Sequence, residues 1–177
     1  SGNESSSSGG GVYCTGASPS LAHCLINENK SSYSGGGVSC TQASRPDLTN
    51  CIISRNTATS SNDVYGGGVF CSSSNPSLTN CIISGNTVRG SSSIAEGYGG
   101  GVSCNSSSSP VLTNCTFAGN AADFGGAVYS YSTTCSPKLT NCILWGDTVA
   151  EIYGGTPVVT YCDVQSGYSG TGNINLN

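Results

Sequence analysis

The chain has 177 residues, only 8% of them charged, and a formal net charge of −4. With Lys30, Arg45, Arg55, Arg89 and Lys138 scattered, it lacks the clustered cations that a nucleic-acid partner requires, and no apolar run of about 18 residues is available to span a bilayer. Its 11 cysteines include no C-x-x-C pair and meet a single histidine, which argues against a metal site and for an oxidising, extracellular or cell-surface compartment.

Taken in chain order, the elements repeat. A glycine-rich entry, GGGVYC from Gly9, leads to PSLAHCLINEN from Pro19. The pair recurs as GGGVSC from Gly35 with PDLTNCIISRN from Pro46, and as GGGVFC from Gly66 with PSLTNCIISGN from Pro76. It continues as GGGVSC from Gly99 with PVLTNCTFAGN from Pro110, and GGAVYS from Gly125 with PKLTNCILWGD from Pro137. A sixth copy closes on PVVTYCDVQSG from Pro157, its entry placed near Gly154. All 6 prolines of the chain therefore fall in one column. The interval between entries, counted from Val12 to Val38, Val69, Val102 and Val128, is 26, 31, 33 and 26 residues, and the variation sits between one motif and the next glycine run.

Each piece reads as a short strand. In V-x-C the valine and cysteine face one way and the middle residue the other; in L-T-N-C-x-I the Leu, Cys and last apolar residue face inward and the Asn marks a bend. Glycine, proline and β-branched residues recur too often for a helical period to survive. A propeller blade is longer than this repeat, and the L-x-x-L-x-L core of leucine-rich repeats is missing. The fold class expected is all-β: a single right-handed, single-stranded parallel β-helix over 1–177, about six coils starting near 9, 35, 66, 99, 125 and 154. At about 4.8 Å per coil the rod is on the order of 30 Å long.

These residues resemble a known family. GGGVYC and SPSLTNCIISGN are similar to the right-handed β-helix repeats of secreted bacterial proteins, pectate-lyase-like folds among them. GGAV at Gly125–Val128 resembles the repeats of polymorphic outer-membrane autotransporters, and TYCDVQSGYSGTGNINLN resembles the closing coil of large bacterial surface β-helix proteins. The resemblance implies the fold and leaves activity open, because the family includes lyases, hydrolases and adhesins.

Stacking turns each repeat position into a column. Asn3, Asn29, Asn56, Asn86 and Asn120, with Asp147 in the sixth place, are expected to form an inward amide ladder and not a calcium row, since each coil supplies too few carboxylate oxygens. His23, Asn50, Asn80, Asn114, Asn141 and Tyr161 form a second bend column that reads the same way. The cysteines fall into two inward columns: Cys14, Cys40, Cys71 and Cys104, with Ser130 in the fifth place, and Cys24, Cys51, Cys81, Cys115, Cys142 and Cys162. A disulfide within each coil, such as Cys14 to Cys24, is expected, with a buried thiol stack as the alternative; Cys162 has no obvious partner and Cys135 is displaced toward a turn. Leu25, Ile52, Ile82, Thr116, Ile143 and Asp163 share an outward column, a candidate contact stripe unless the variable loops fold over it. Tyr65, Tyr98, Phe124 and Tyr153 precede their glycine runs and stack between coils or on sugar rings; Glu28 and Arg55 make a surface pair.

No convergent acid–base set, phosphate loop or Ser-His-Asp arrangement is legible, so no enzyme and no cofactor is expected. Asp47, Asp63, Asp123, Asp147 and Asp163 fall in different columns or loops. Sequons at Asn3, Asn29, Asn105 and Asn114 matter only where the source glycosylates. Ser1–Asn3 and GNINLN read as uncapped ends, which expose unpaired strand edges. The expected function is an extracellular structural solenoid, a surface or filament protein that stacks end to end or on further coils of a longer chain. The alternative is a carbohydrate-binding or polysaccharide-degrading β-helix using the loops at 57–65 and 87–98, with glycans as partners. An ice-binding face is a third reading, with only one threonine per coil at Thr49, Thr79, Thr113, Thr140 and Thr160.

Overall fold

The computed structural model describes residues 1–176 and contains strands and turns without a helix among them. Six coils stack in register and every strand pair is parallel. The V-x-C segments form the first sheet: Val12–Thr15, Val38–Thr41, Val69–Ser72, Val102–Asn105, Val128–Ser130 and Ile152–Tyr153. The x-L-T segments form the second: Ser20–Ala22, Asp47–Thr49, Ser77–Thr79, Val111–Thr113, Lys138–Thr140 and Val158–Thr160. The third holds Leu25–Asn27, Ile52–Ser54, Ile82–Ser84, Thr116–Ala118, Ile143–Trp145 and Asp163–Val164. The architecture is the parallel β-helix that the repeat implies.

Alternation of side chains within three-residue strands sends Leu48, Leu78, Leu112 and Leu139 into the core from the second sheet. Ile53, Ile83, Phe117 and Leu144 enter from the third, and Val38, Val69, Val102 and Val128 from the first. Apolar residues stack on apolar residues, Leu78 on Leu48 and Ile83 on Ile53, so each coil closes the apolar face of its neighbour.

Sharp bends between sheets require a left-handed backbone. Asn50, Asn80, Asn114 and Asn141 adopt φ of 53–54°, with His23 and Tyr161 alike at 55° and 56°, between the second and third sheets. Asparagine tolerates this region better than most residues with a side chain. This second bend column consequently points outward and is exposed, which corrects the inward reading: Asn80 Nδ2 donates to Asn50 Oδ1 (3.2 Å) and Asn114 Nδ2 to Asn80 Oδ1 (3.1 Å) on the surface. The glycine run needs its glycines for room as well as for φ. A Cβ on Gly67 would lie 2.6 Å from Gly100 O, and one on Gly68 would lie 3.1 Å from Asn86 Nδ2.

The variable segments are ordered by pairing with each other. Thr57–Ser60 runs beside Thr87–Gly90, Val64–Tyr65 beside Gly97–Tyr98, and Ala58, Val64 and Val88 form a small second core. They lie away from the apolar stripe and do not cover it: Leu25 (60%), Ile52 (41%), Ile82 (44%) and Ile143 (47%) remain exposed.

Two boundary expectations are corrected. The sixth coil enters at Ile152, which pairs with Val128, so Ala150 and Glu151 occupy the glycine-run positions and Gly154 follows the strand. The carboxy-terminal end is also covered, by residues 168–174; Asn177 lies outside the described residues. Thr171 O accepts from Tyr161 N, Asn173 Oδ1 from Cys162 N and Ile174 O from Val164 N. Tyr168 packs on the core below. At the opposite end Val12, Leu21, Cys24 and Ile26 line a cavity of about 170 Å³ that opens beside the first coil.

The fold rests on these bends, which gives a measurable contrast. Asn86→Ala should destabilise by roughly 3–5 kcal/mol, because it orphans the Asn56 amide donors inside the core, whereas Asn80→Ala on the surface should cost about 1 kcal/mol. Urea unfolding of the two variants reads the difference.

Candidate functional site

Three internal hydrogen-bond ladders run along the corners of the coil. In the first, Asn29 Nδ2 donates to Asn56 Oδ1 (2.8 Å), Asn56 Nδ2 to Asn86 Oδ1 (2.9 Å) and Asn86 Nδ2 to Asn120 Oδ1 (2.9 Å). The backbone N of each donates to the same oxygen of the next. The Asn56, Asn86 and Asn120 amides also reach back to a carbonyl one coil earlier, as Asn86 Nδ2 does to Ile53 O (2.8 Å). Asn3 and Asp147 stand at the two ends of this row. The amides are consumed by the ladder and have nothing left for a ligand.

The cysteines build the second ladder. Cys51, Cys81, Cys115 and Cys142 each direct a thiol to the leucine carbonyl of the coil before, at 3.3–3.4 Å. Cys14, Cys40, Cys71 and Cys104 stack in strand register on the first sheet, with Ser130 next in line. All 11 cysteines are free thiols. The expected disulfides within a coil, Cys14 to Cys24 included, are thus replaced by the alternative reading, stacked thiols. Their nearest thiol neighbours lie in the coils above and below, and burial pushes the Cys14 and Cys51 thiols up. Cys162 belongs to the same order, taking a 3.3 Å contact from Cys142 N.

Sequence reasoning missed the third ladder. Ser44 N donates to Ser74 Oγ and Ser74 N to Ser108 Oγ, both at 3.1 Å, and Ala17 N reaches Ser44 Oγ at 3.3 Å. The signal was present, since each serine stands two residues before a repeat proline. Cys135 holds the same position before Pro137, which explains its displacement from the other cysteines.

Outside the first sheet lies an aromatic column. Tyr65 stacks on Tyr98 (centroids 5.1 Å apart, 16° between planes) and Tyr98 on Phe124 (5.3 Å, 15°). These rings lie over Phe70 and Tyr129, so the middle residues of V-x-C are buried there and not exposed as alternation alone predicts. Tyr153 pairs in register with Tyr129, and its ring follows Phe124 at 5.3 Å, tilted by 55°. Asp63 and Asp123, expected in different columns or loops, form a row with Glu96 beside the rings: Asp63 accepts from Glu96 N (3.1 Å), Asp123 from Gly97 N (2.7 Å) and Glu96 from the Tyr98 hydroxyl (2.6 Å). Burial, and then the bond to Glu96, pushes the Tyr98 phenol up. Tyr65, Tyr98 and Phe124 thus stack on one another from coil to coil. The Glu28–Arg55 pair is present at 3.6 Å and fully on the surface.

What remains for contact is the broad side formed by the second and third sheets. Thr49, Thr79, Thr113, Thr140 and Thr160 stand in register, as do Leu25, Ile52, Ile82, Thr116 and Ile143, with the exposed asparagine column between them. The outward column of the second sheet carries Asp47 in the second coil and Lys138 in the fifth. No group of three His, Cys, Asp or Glu side chains arranged for a metal occurs among the described residues.

The thiol assignment predicts a labelling pattern. A thiol reagent should modify Cys24, the one cysteine that is not buried, under native conditions and all 11 after denaturation, without prior reduction. Mass spectrometry counts the adducts.

No curated protein and no solved structure matches the chain. A family model described as a right-handed β-helix region matches residues 1–164, which encompass all six coils and the three ladders. The chain belongs to the right-handed β-helix family.

Proposed function

We propose that this chain is a structural β-solenoid of a secreted or surface protein, a rigid rod that associates side by side through its Thr/Asn/Ile face. The single observation carrying this reading is that face: uncharged over most of its area, regular from coil to coil, and left open by the loops. Contiguous apolar side chains in register on a surface favour contact with a complementary surface. A second copy supplies one. Packed antiparallel about a two-fold axis, two rods place Asp47 of the second coil opposite Lys138 of the fifth, and Ile52 opposite Ile143.

Sedimentation velocity tests the reading. Mass should rise with concentration toward a dimer, Ile82→Glu should hold the chain as a monomer with an unchanged circular dichroism spectrum, and Lys138→Glu should weaken association that Asp47→Lys in the same chain restores. A single-chain mass at all concentrations, or depolymerisation of any member of a polysaccharide panel, would contradict it.

A further inference from the structure

The asparagine ladder ends in two carboxyl groups. Asp147 takes the sixth position; its Oδ1 accepts from Asn120 N and Nδ2 (2.7 Å for the latter), as an asparagine oxygen would. In every earlier coil the second atom of this side chain is the donor Nδ2, aimed at the acceptor of the next coil. Here it is Oδ2, buried and without a partner. The next coil offers no asparagine, because Gly167 stands ten residues after Pro157 where Asn120 stands ten after Pro110. Glu151 fills the vacancy from the other side. It occupies the last position of the glycine run, and its Oε1 accepts from Asp147 N (3.3 Å), the role that an asparagine oxygen plays elsewhere. Its Oε2 is buried and unpartnered too, and the residue is 7% exposed.

An acceptor thus faces an acceptor where the ladder calls for a donor and an acceptor. Two adjacent buried carboxylates cannot both be ionised at low cost, and one proton between them restores the missing donor. We propose that Asp147 and Glu151 share a proton that completes the ladder, and that its loss releases the covering segment 165–176 from the sixth coil, a pH-sensitive latch at this end of the rod.

The surroundings fit a proton better than a metal ion. The adjoining cavity, about 230 Å³, is walled by residues 147–152 on one side and by Val164–Tyr168 on the other. Among its lining residues the titratable groups are Asp147, Glu151 and the Tyr168 phenol; no lysine, arginine or histidine is present to neutralise a second negative charge. Calcium asks for six to eight oxygens, and two carboxylates do not supply them. Burial is the main cause that raises both carboxyls, and the hydrogen bond to Asp147 adds to it for Glu151, which is pushed up to about 8. Both folded-state values lie above the unfolded ones, so the stabilisation is complete below about pH 4, near the ordinary carboxylate value, and is lost as pH rises through the folded value. Opening the two cavity walls hydrates the charges. Gly146 N to Gln165 Oε1 (2.6 Å) is the side-chain bond that joins those walls and breaks with the opening.

Hydrogen exchange of the Cys162, Val164 and Ile174 amides, corrected for base catalysis, tests the latch between pH 5 and pH 9. Protection should fall by about tenfold or more across that range in the wild-type chain, while amides of the third coil keep theirs. Asp147→Asn restores the ladder donor and should hold protection at pH 9 at its pH 5 level; Glu151→Gln should flatten the profile as well. Equal protection at both pH values in the wild type, or an unaltered pH dependence in both variants, overturns the proposal. So does recovery of protection at pH 9 on adding calcium chloride alone, since the pair would then be a cation site.

Discussion

A parallel coil must present the same hydrogen-bonding group at the same corner as the coil above it, and the rest of this structure depends on that constraint. Straight segments satisfy their backbone through the sheets, but corners break the ladder, and a buried donor without a partner costs about 1–3 kcal/mol. The chain answers with short polar side chains at its inner corners: asparagine after the third sheet, serine before the proline and a thiol after the outer bend. Each links its own coil to a neighbour, so one substitution affects two coils.

This constraint accounts for the cysteines. They are small, apolar enough for a core and able to donate weakly to a carbonyl, which suits a narrow position between the second and third sheets. Stacking in columns directs each thiol to its equivalents one coil away and to leucine carbonyls, not to a partner within its own coil. The abundance of cysteine therefore reflects the coil geometry.

The architecture was legible because repetition amplifies weak signals: one proline or one GGGV means little, but six aligned prolines define a column. The Asn56, Asn86 and Asn120 column and the apolar stripe were legible for the same reason. What escaped depends on where backbone bends point side chains. Asn50 and Asn86 belong to similar-looking columns, yet positive φ at Asn50 turns it outward, and alternation cannot reveal that. Ser74 was hidden by the abundance of serine. Asp147 and Glu151 were hidden because Glu151 departs from the glycine register, and only the pairing of Ile152 with Val128 places it against the ladder end. Departures from the repeat, here Asp147, Glu151 and Gly167, mark where the end of the rod differs from its middle.

Ladder side chains act by coupling neighbouring coils. A double-mutant cycle on Asn56 and Asn86, set beside one on Asn29 and Asn120, tests it most directly. Adjacent ladder members should show a coupling free energy of about 1–3 kcal/mol, and the separated pair should be additive within about 0.5 kcal/mol. Additivity for Asn56 and Asn86 as well would contradict the account, since each asparagine would then stabilise only its own coil.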